Sequence, residues 1–137
     1  MTAPIKVLLR SEQSDGQLAV IDEVVPASFR GPPLHVHPGF DEGFYVLAGE
    51  LTFQAGDDVW TAGPGQLAFA PRGTPHTFAN LSGADARTLV ICTPAGFERY
   101  FDRLAAELAG VEPPPEAFKP RPETITVGPP LSPAPGG

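Results

Sequence analysis

Residues 35–42 read HVHPGFDE and residues 71–80 read PRGTPHTFAN, and these two stretches decide the fold and the chemistry that the sequence predicts. Together they contain all three histidines of the chain, His35, His37 and His76. Alternate side chains of a β-strand point to the same face, so we expect His35 and His37 to project side by side. The first stretch therefore supplies a pair of neighbouring imidazoles.

The residues that follow and precede these histidines are typical of rigid turns. Residues 38–41, PGFD, predict a reversal of the chain that brings Glu42 back beside the two imidazoles on the next strand. Residues 71–75, PRGTP, predict a second turn from which a strand begins at His76. With these two turns, the three histidines and Glu42 can lie close together in the fold.

Three imidazoles and one carboxylate suit a divalent transition metal better than calcium or magnesium, which prefer mostly oxygen ligands. We expect one such ion per chain, Fe, Mn, Ni, Co, Cu or Zn, and four predicted ligands, His35, His37, Glu42 and His76. The alternative is structural: a histidine in a strand is usually only hydrogen-bonded, and a glutamate next to Asp41 could be a surface residue in an ion pair.

Short apolar or alternating runs, separated by glycine, proline, aspartate or asparagine, predict an all-β fold. We expect strands near residues 5–10, 17–25, 33–38, 42–48, 50–55, 57–62, 66–70, 76–80 and 86–93. Many short strands at nearly regular spacing are typical of a sandwich or barrel, and here they favour a jelly roll around the metal ligands.

The two stretches resemble the paired motifs of the cupin superfamily. The second motif matches at each signature position, Gly65, Pro71, Gly73, His76 and Asn80, and the first matches at His35, His37, Glu42 and Gly49. Its leading glycine, Gly31, lies closer to the first histidine than the family pattern places it, but that glycine serves a turn and is not a ligand. The resemblance covers roughly residues 15 to 95.

The resemblance implies a cupin jelly-roll barrel, or double-stranded β-helix, that binds a metal through the four residues named above. Within the family, the chain resembles the small single-domain cupins that are similar to quercetin dioxygenases. This resemblance implies a metal-dependent oxidoreductase, a dioxygenase that would act on a small aromatic or enolic compound. Glu42 would then be both a metal ligand and the catalytic base that accepts the proton of the substrate hydroxyl.

Two other functions stay open, because cupins carry out many reactions. One is non-redox chemistry, in which the ion acts as a Lewis acid for an isomerase or lyase reaction on a carbonyl compound. The other is a non-catalytic cupin that binds a small molecule. Oxygen consumption separates the first from a dioxygenase, and ligand binding without turnover identifies the second.

The parity of the strands predicts an apolar pocket beside the ligands. If Glu42 points inward, Phe44 and Val46 do so as well, and Phe78 and Asn80 follow His76. We expect a small organic ligand, because a sugar phosphate would call for inward lysines and arginines.

The predicted domain comprises residues 1–110, the barrel and one C-terminal helix. Thr93 is a candidate N-cap before Pro94, and Gly110 is a natural stop. A stripe formed by Phe97, Phe101, Leu104 and Leu108 lies opposite Glu98, Arg99, Asp102 and Arg103. We expect the stripe to pack on the outside of the barrel or on a partner subunit.

Residues 111–137 form a proline-rich tail in which residues 124–127, TITV, could form a strand. The tail is either disordered or stretched over the barrel or a neighbouring subunit. Because short-edged barrels with an apolar helix and an extended tail commonly pair, we expect a homodimer.

Composition limits the possible partners and the location. A formal charge of −7 without a basic run argues against binding duplex nucleic acid or an anionic membrane. The sequence has neither a long apolar span nor the apolar stretch of a signal peptide, so we expect a cytoplasmic protein. Cys92 is the single cysteine, which we expect to be a buried, inert thiol.

Overall fold

The computed structural model describes residues 4–131, which form two five-stranded antiparallel sheets. The strands are β1 (Ile5–Leu9), β2 (Ala19–Val25), β3 (Pro33–Val36), β4 (Asp41–Ala48), β5 (Leu51–Ala55), β6 (Asp58–Ala62), β7 (Leu67–Ala70), β8 (His76–Ala79), β9 (Ala86–Thr93) and β10 (Ile125–Pro130). One sheet has the order β1-β2-β9-β4-β7 and the other the order β10-β3-β8-β5-β6.

All nine predicted strands are present, so the all-β prediction and the jelly roll are confirmed. The prediction of a closed barrel differs from what is observed. Within residues 4–131, the edge strands β1 and β7 of one sheet form no ladder with the edge strands β10 and β6 of the other. The fold is therefore a sandwich of two sheets that share one core.

Alternation along the strands decides which side chains form that core. In β2 the inward positions carry Ala19, Ile21, Glu23 and Val25, and each is buried. Across the sheet, Phe44 and Val46 of β4 are buried in the same way. Full burial of an aliphatic or aromatic side chain of this size stabilises a fold by about 1.5–3 kcal/mol.

Gly31 allows the loop before β3 to approach β8 closely. Its φ is +84°, and a Cβ at this position would lie 1.8 Å from the carbonyl oxygen of Phe78. No other residue could occupy that space without moving the strand that carries His76. The glycine that departs from the spacing of the family motif thus has a packing role of its own.

The C-terminal helix, α2 (Glu98–Ala109), begins four residues later than the sequence predicts. Thr93 does not cap it, because Thr93 is still in β9 and pairs with Asp41 of β4. The helix ends where predicted: Gly110 adopts the left-handed conformation with φ 69° and its N–H bonds to carbonyl groups of the last turn.

The prediction of which side chains form the polar face of α2 is partly wrong. Glu98 and Asp102 are buried at 0% and 6% exposure, and Leu108 of the predicted apolar stripe is 60% exposed. Glu98 accepts bonds from the backbone N–H and the hydroxyl of Ser11, both at 2.6 Å, and Asp102 binds the guanidinium of Arg10 at 2.7 Å. These partners lie in or beside α1 (Ser11–Ser14), a short helix that the sequence did not predict.

The described part of the proline-rich tail packs on the jelly roll. Residues 115–118 form a 3₁₀ helix next to α2, and β10 pairs with the edge of β3. In that ladder Ile125 lies opposite Val36, and Thr126 lies opposite His35. Residues 111–131 thus lie against the jelly roll in this structure, and residues 132–137 lie outside the described residues.

Two smaller expectations concern membranes and the thiol. Within residues 4–131, no helix has the length and apolar character needed to cross a bilayer. Cys92 is fully buried, and its burial raises the pKa of the thiol well above its usual value. The prediction that this cysteine is buried is confirmed, and a raised pKa disfavours the reactive thiolate.

Candidate metal centre

Four side chains from three strands and one turn meet at the centre of the molecule. His35 lies on β3, His37 one residue beyond its end, Glu42 on β4 and His76 at the start of β8. One potential ligand atom of each lies within 4.8 Å of those of the other three. The structure thus brings together all the residues that the two sequence stretches single out.

Local structure explains why they meet. His35 and His76 are Cα partners on neighbouring antiparallel strands, so their imidazoles lie side by side with ring centroids 4.4 Å apart. The turn before Glu42 reverses the chain as predicted. The second turn is tied to the first motif, because the N–H of Gly73 donates to the carbonyl of His37 at 2.9 Å.

The outer nitrogens of two histidines are fixed by backbone carbonyl groups. Nδ1 of His35 lies 2.8 Å from the carbonyl oxygen of Pro33, and Nδ1 of His76 lies 3.0 Å from that of Thr74. A carbonyl oxygen only accepts, so each Nδ1 must carry the proton and donate it. The lone pair of each neutral ring is then on Nε2.

His37 is oriented from the other end of the chain. Its Nδ1 lies 3.1 Å from the hydroxyl oxygen of Thr124, just before β10, and its ring packs against Phe40 and Phe97 with centroids 4.3 and 4.7 Å away. Its Nε2 is buried and has no hydrogen-bond partner among the described residues. A buried nitrogen without a partner is the atom expected of a metal ligand.

The distances between the imidazoles and the carboxylate are compatible with a cation between them. Oε1 of Glu42 lies 3.0 Å from Nε2 of His76 and 3.4 Å from Nε2 of His37. When Nδ1 of His76 carries the only ring proton, two lone pairs face each other at 3.0 Å, which is repulsive unless a positive charge joins them. Three nitrogens and one carboxylate oxygen fit a divalent transition metal. The cluster could therefore bind one metal ion.

The surroundings keep the carboxylate charged. Burial alone would raise the pKa of Glu42, but the neighbouring imidazoles of His37 and His76 lower it to about 2. Burial also opposes charging of His76, yet the adjacent Glu42 carboxylate raises the pKa of that ring. Burial lowers the pKa of His35, which favours its neutral form. Ionised carboxylate and neutral imidazole are the forms that bind metals.

One side of the cluster opens into a cavity of about 650 Å³. His35 and Glu42 form part of its wall. Aromatic rings from both sheets, from the loop between β2 and β3 and from the first turns of α2 with its N-cap form much of the rest: Phe29, Phe44, Phe78, Phe97, Tyr100 and Phe101. Of the residues that strand parity directs inward, Phe44 and Phe78 line this cavity, whereas Val46 and Asn80 are buried without lining it. The predicted apolar, aromatic pocket is present.

Three parts of the site were not identified from the sequence. Glu23 of β2 lines the cavity, α2 closes one side of it, and Thr124 orients a ligand histidine. A signal existed for Glu23, because the inward positions of β2 are otherwise apolar. No comparable signal exists for Thr124, which the sequence places only in a proline-rich segment.

Comparison with known proteins gives one family. The profile of the Cupin domain family matches residues 21–92, which include the four clustered side chains. No curated protein sequence matches the chain.

Several solved structures are similar to this chain. The protein TT1209 from Thermus thermophilus is 32% identical, with 58% of this chain and 74% of that one covered at a TM-score of 0.54. The DMSP lyase DddQ from Ruegeria pomeroyi is also 32% identical, covering 57% and 39% at 0.51. The polyketide cyclase RemF from Streptomyces resistomycificus is 26% identical, covering 65% and 63% at 0.57.

Proposed function

This chain belongs to the cupin family, and from that premise we propose that it is a metal-dependent enzyme of the dioxygenase type, acting on a small aromatic or enolic compound. The observation that carries the proposal is the position of the ligand cluster on the wall of the cavity. His35 and Glu42 line the same cavity as six aromatic rings. A flat organic molecule in that space would reach the metal ligands with one of its oxygen atoms.

The chemistry that a bound divalent transition metal would supply is Lewis acidity toward a substrate oxygen and, for a redox-active ion, electron transfer to dioxygen. The residues of the chain have other tasks. Phe44 and Phe78 would hold the ring of the substrate and exclude water from it. Glu42 would receive the proton of the substrate hydroxyl.

The experiment combines metal analysis with oxygen measurement. The purified chain is analysed for its elements and then incubated, with and without air, with a panel of flavonols, catechols and diketones. The proposal predicts about one metal ion per chain and consumption of dioxygen in step with loss of one panel member. The variant His76→Ala, which removes one ligand, should lose both. Turnover without oxygen consumption would contradict the dioxygenase assignment.

A second candidate is a non-redox lyase or isomerase that acts on a carbonyl compound. Glu23, a second carboxyl group in the same cavity, favours it, because acid–base chemistry commonly needs a donor and an acceptor at different positions. The likeness to a lyase and a cyclase supports it as well. Under this hypothesis product forms at the same rate in the absence of air. Binding of a panel member without any product would favour the non-catalytic alternative.

A further inference from the structure

Glu23 stands out as an acidic side chain within the apolar core. It occupies an inward position of β2 and is 8% exposed, between the fully buried Ile21 and Val25 on the same face. Its Oε2 is buried and has no hydrogen-bond partner among residues 4–131. A buried carboxyl oxygen without a hydrogen-bond partner lowers the stability of the fold. A bound molecule that donates or accepts a hydrogen bond would remove this cost.

The sheet register separates Glu23 from the metal ligands. Glu42 of β4, Cys92 of β9 and Ala19 of β2 are Cα partners and form one row across the sheet. Glu23 lies on β2, two strands away from β4, and four residues further along β2 than Ala19. Both carboxyl groups nevertheless line the same cavity, and so does Phe44, which lies in the row between them. A molecule lying on Phe44 would have the metal ligands on one side and Glu23 on the other.

Few charged groups face Glu23. The carboxylate of Glu42, across the cavity, acts on it by repulsion, and Tyr100 of α2 lies within its electrostatic range. Arg121 and Glu123 also line the cavity. The guanidinium of Arg121 lies over the ring of Tyr100, 5.5 Å from the centroid, and Oε2 of Glu23 has no partner among the described residues. No cation of the described chain therefore neutralises this carboxyl group.

We propose that Glu23 is a substrate-binding residue, which hydrogen-bonds a hydroxyl or carbonyl oxygen of the bound aromatic or enolic compound at the side of the cavity away from the metal ligands. This inference rests on the proposed function only in its choice of ligand class. It places a polar contact on the β2 side of a pocket whose walls are largely ring surfaces. The compound is accordingly one with two oxygen functions on opposite sides of a flat, mainly apolar frame.

The chemical state of Glu23 suits this task. Burial, with a smaller contribution from the charge of Glu42, raises its pKa to about 8, so the carboxyl group is largely protonated at neutral pH. A neutral carboxyl group donates one hydrogen bond and accepts another, and can therefore pair with either a carbonyl or a hydroxyl group. It also adds no negative charge against the ring faces of the pocket.

The test compares two probes that differ in a single oxygen. Equilibrium binding of 2-naphthol and of naphthalene is measured by calorimetry on the full chain with a chelator present, so that no metal ion competes with Glu23 for the single oxygen of the probe. We expect Glu23→Leu to weaken binding of 2-naphthol about fivefold to tenfold, as loss of one neutral hydrogen bond does, and to leave naphthalene unaffected or bound more tightly. Glu50→Gln, which removes an exposed carboxylate away from the cavity, should change neither.

A second readout observes the group directly. In infrared difference spectra of the wild type and Glu23→Gln, we expect a band of a protonated carboxyl group that is absent from the variant. The band should shift when 2-naphthol is added and not when naphthalene is added. Glu23→Gln keeps the shape and hydrogen-bonding capacity of the side chain, so the measurement does not depend on how well a leucine fits.

The two proposals can fail separately. A probe-specific loss of affinity together with the band shift supports the role of Glu23, whether or not dioxygen is consumed in the panel experiment. Equal effects of Glu23→Leu on both probes, or a carboxyl band that ignores 2-naphthol, would overturn it even if the chain proved to be a dioxygenase.

Discussion

Replacing Glu23 by glutamine should remove a large pH dependence from the stability of this protein. The two side chains have nearly the same shape, but glutamine cannot ionise. Glu23 is 8% exposed, and its pKa rises from the usual 4.5 to about 8, first through burial and second through the charge of Glu42. The folded protein therefore keeps a proton on Glu23 over a pH range in which the unfolded chain has lost it.

The sign and size follow from this difference. A raised carboxyl pKa favours the folded state below about pH 4.5, and this contribution is lost as the pH rises toward about 8. Each pH unit in between costs about 1.4 kcal/mol, so the whole interval amounts to about 5 kcal/mol. At neutral pH about 3 kcal/mol of this has already been lost. A difference of this size is a large part of the stability of a small domain.

The assay is urea unfolding of the wild type and Glu23→Gln at about pH 5, 7 and 9, with a chelator present so that metal binding adds no pH dependence of its own. Groups other than Glu23 contribute equally to both proteins and cancel in the difference. Because part of the effect is already present at pH 5, the variant should gain about 4 kcal/mol relative to the wild type between the lowest and highest pH. Glu50→Gln should follow the wild type. A difference between the wild type and Glu23→Gln that stays constant within about 1 kcal/mol would refute the reasoning.

Four further predictions test the site and its supports. His37→Ala should lower bound metal, measured by elemental analysis, at least about tenfold without loss of the β circular-dichroism signal, and full occupancy would contradict the ligand assignment. Thr124→Val, which removes the hydroxyl beside Nδ1 of His37, should weaken metal affinity about tenfold to a hundredfold in chelator competition, whereas the exposed control Thr61→Val should not. Glu98→Ala should lower the free energy of unfolding by about 3 kcal/mol, because the buried N–H groups that it satisfies lose their acceptor; wild-type stability would show that water replaces it. The homodimer remains a prediction: sedimentation should give a dimer, which Phe69→Glu on the exposed face of the edge strand β7 should dissociate, and a concentration-independent monomer of the wild type would reject it.

The parts of this structure that the sequence predicts are those set by local rules. Strand alternation and the turn residues at 38–41 and 71–75 act over a few positions, so the nine strands could be placed within two residues at each end. The convergence of His35, His37, Glu42 and His76 was predicted from the same rules together with the family motifs. His37 is a partial exception, since β3 ends at Val36 and the turn, rather than the strand, carries its side chain inward.

The parts that escaped prediction depend on partners far away in the chain. Glu98 and Asp102 fit a solvent-exposed helix face as long as α2 is considered alone. They are buried because Ser11 and Arg10, 87 and 92 residues away, meet them. A hydrophobic pattern cannot reveal such pairs, because a buried carboxylate with a partner and an exposed one look the same in a single sequence.

The same reasoning changes how the proline-rich tail should be regarded. Composition divides it from the domain at residue 110, but β10 pairs with the free edge of β3, the strand that carries His35. Just before β10, Thr124 reaches the outer nitrogen of His37, and Arg121 and Thr126 line the cavity. A segment that orients one histidine of the candidate metal cluster and forms part of the cavity wall is a component of the site. Its proline residues suit that position, since an edge strand needs only one row of backbone donors and a stiff chain loses less entropy when it is fixed there.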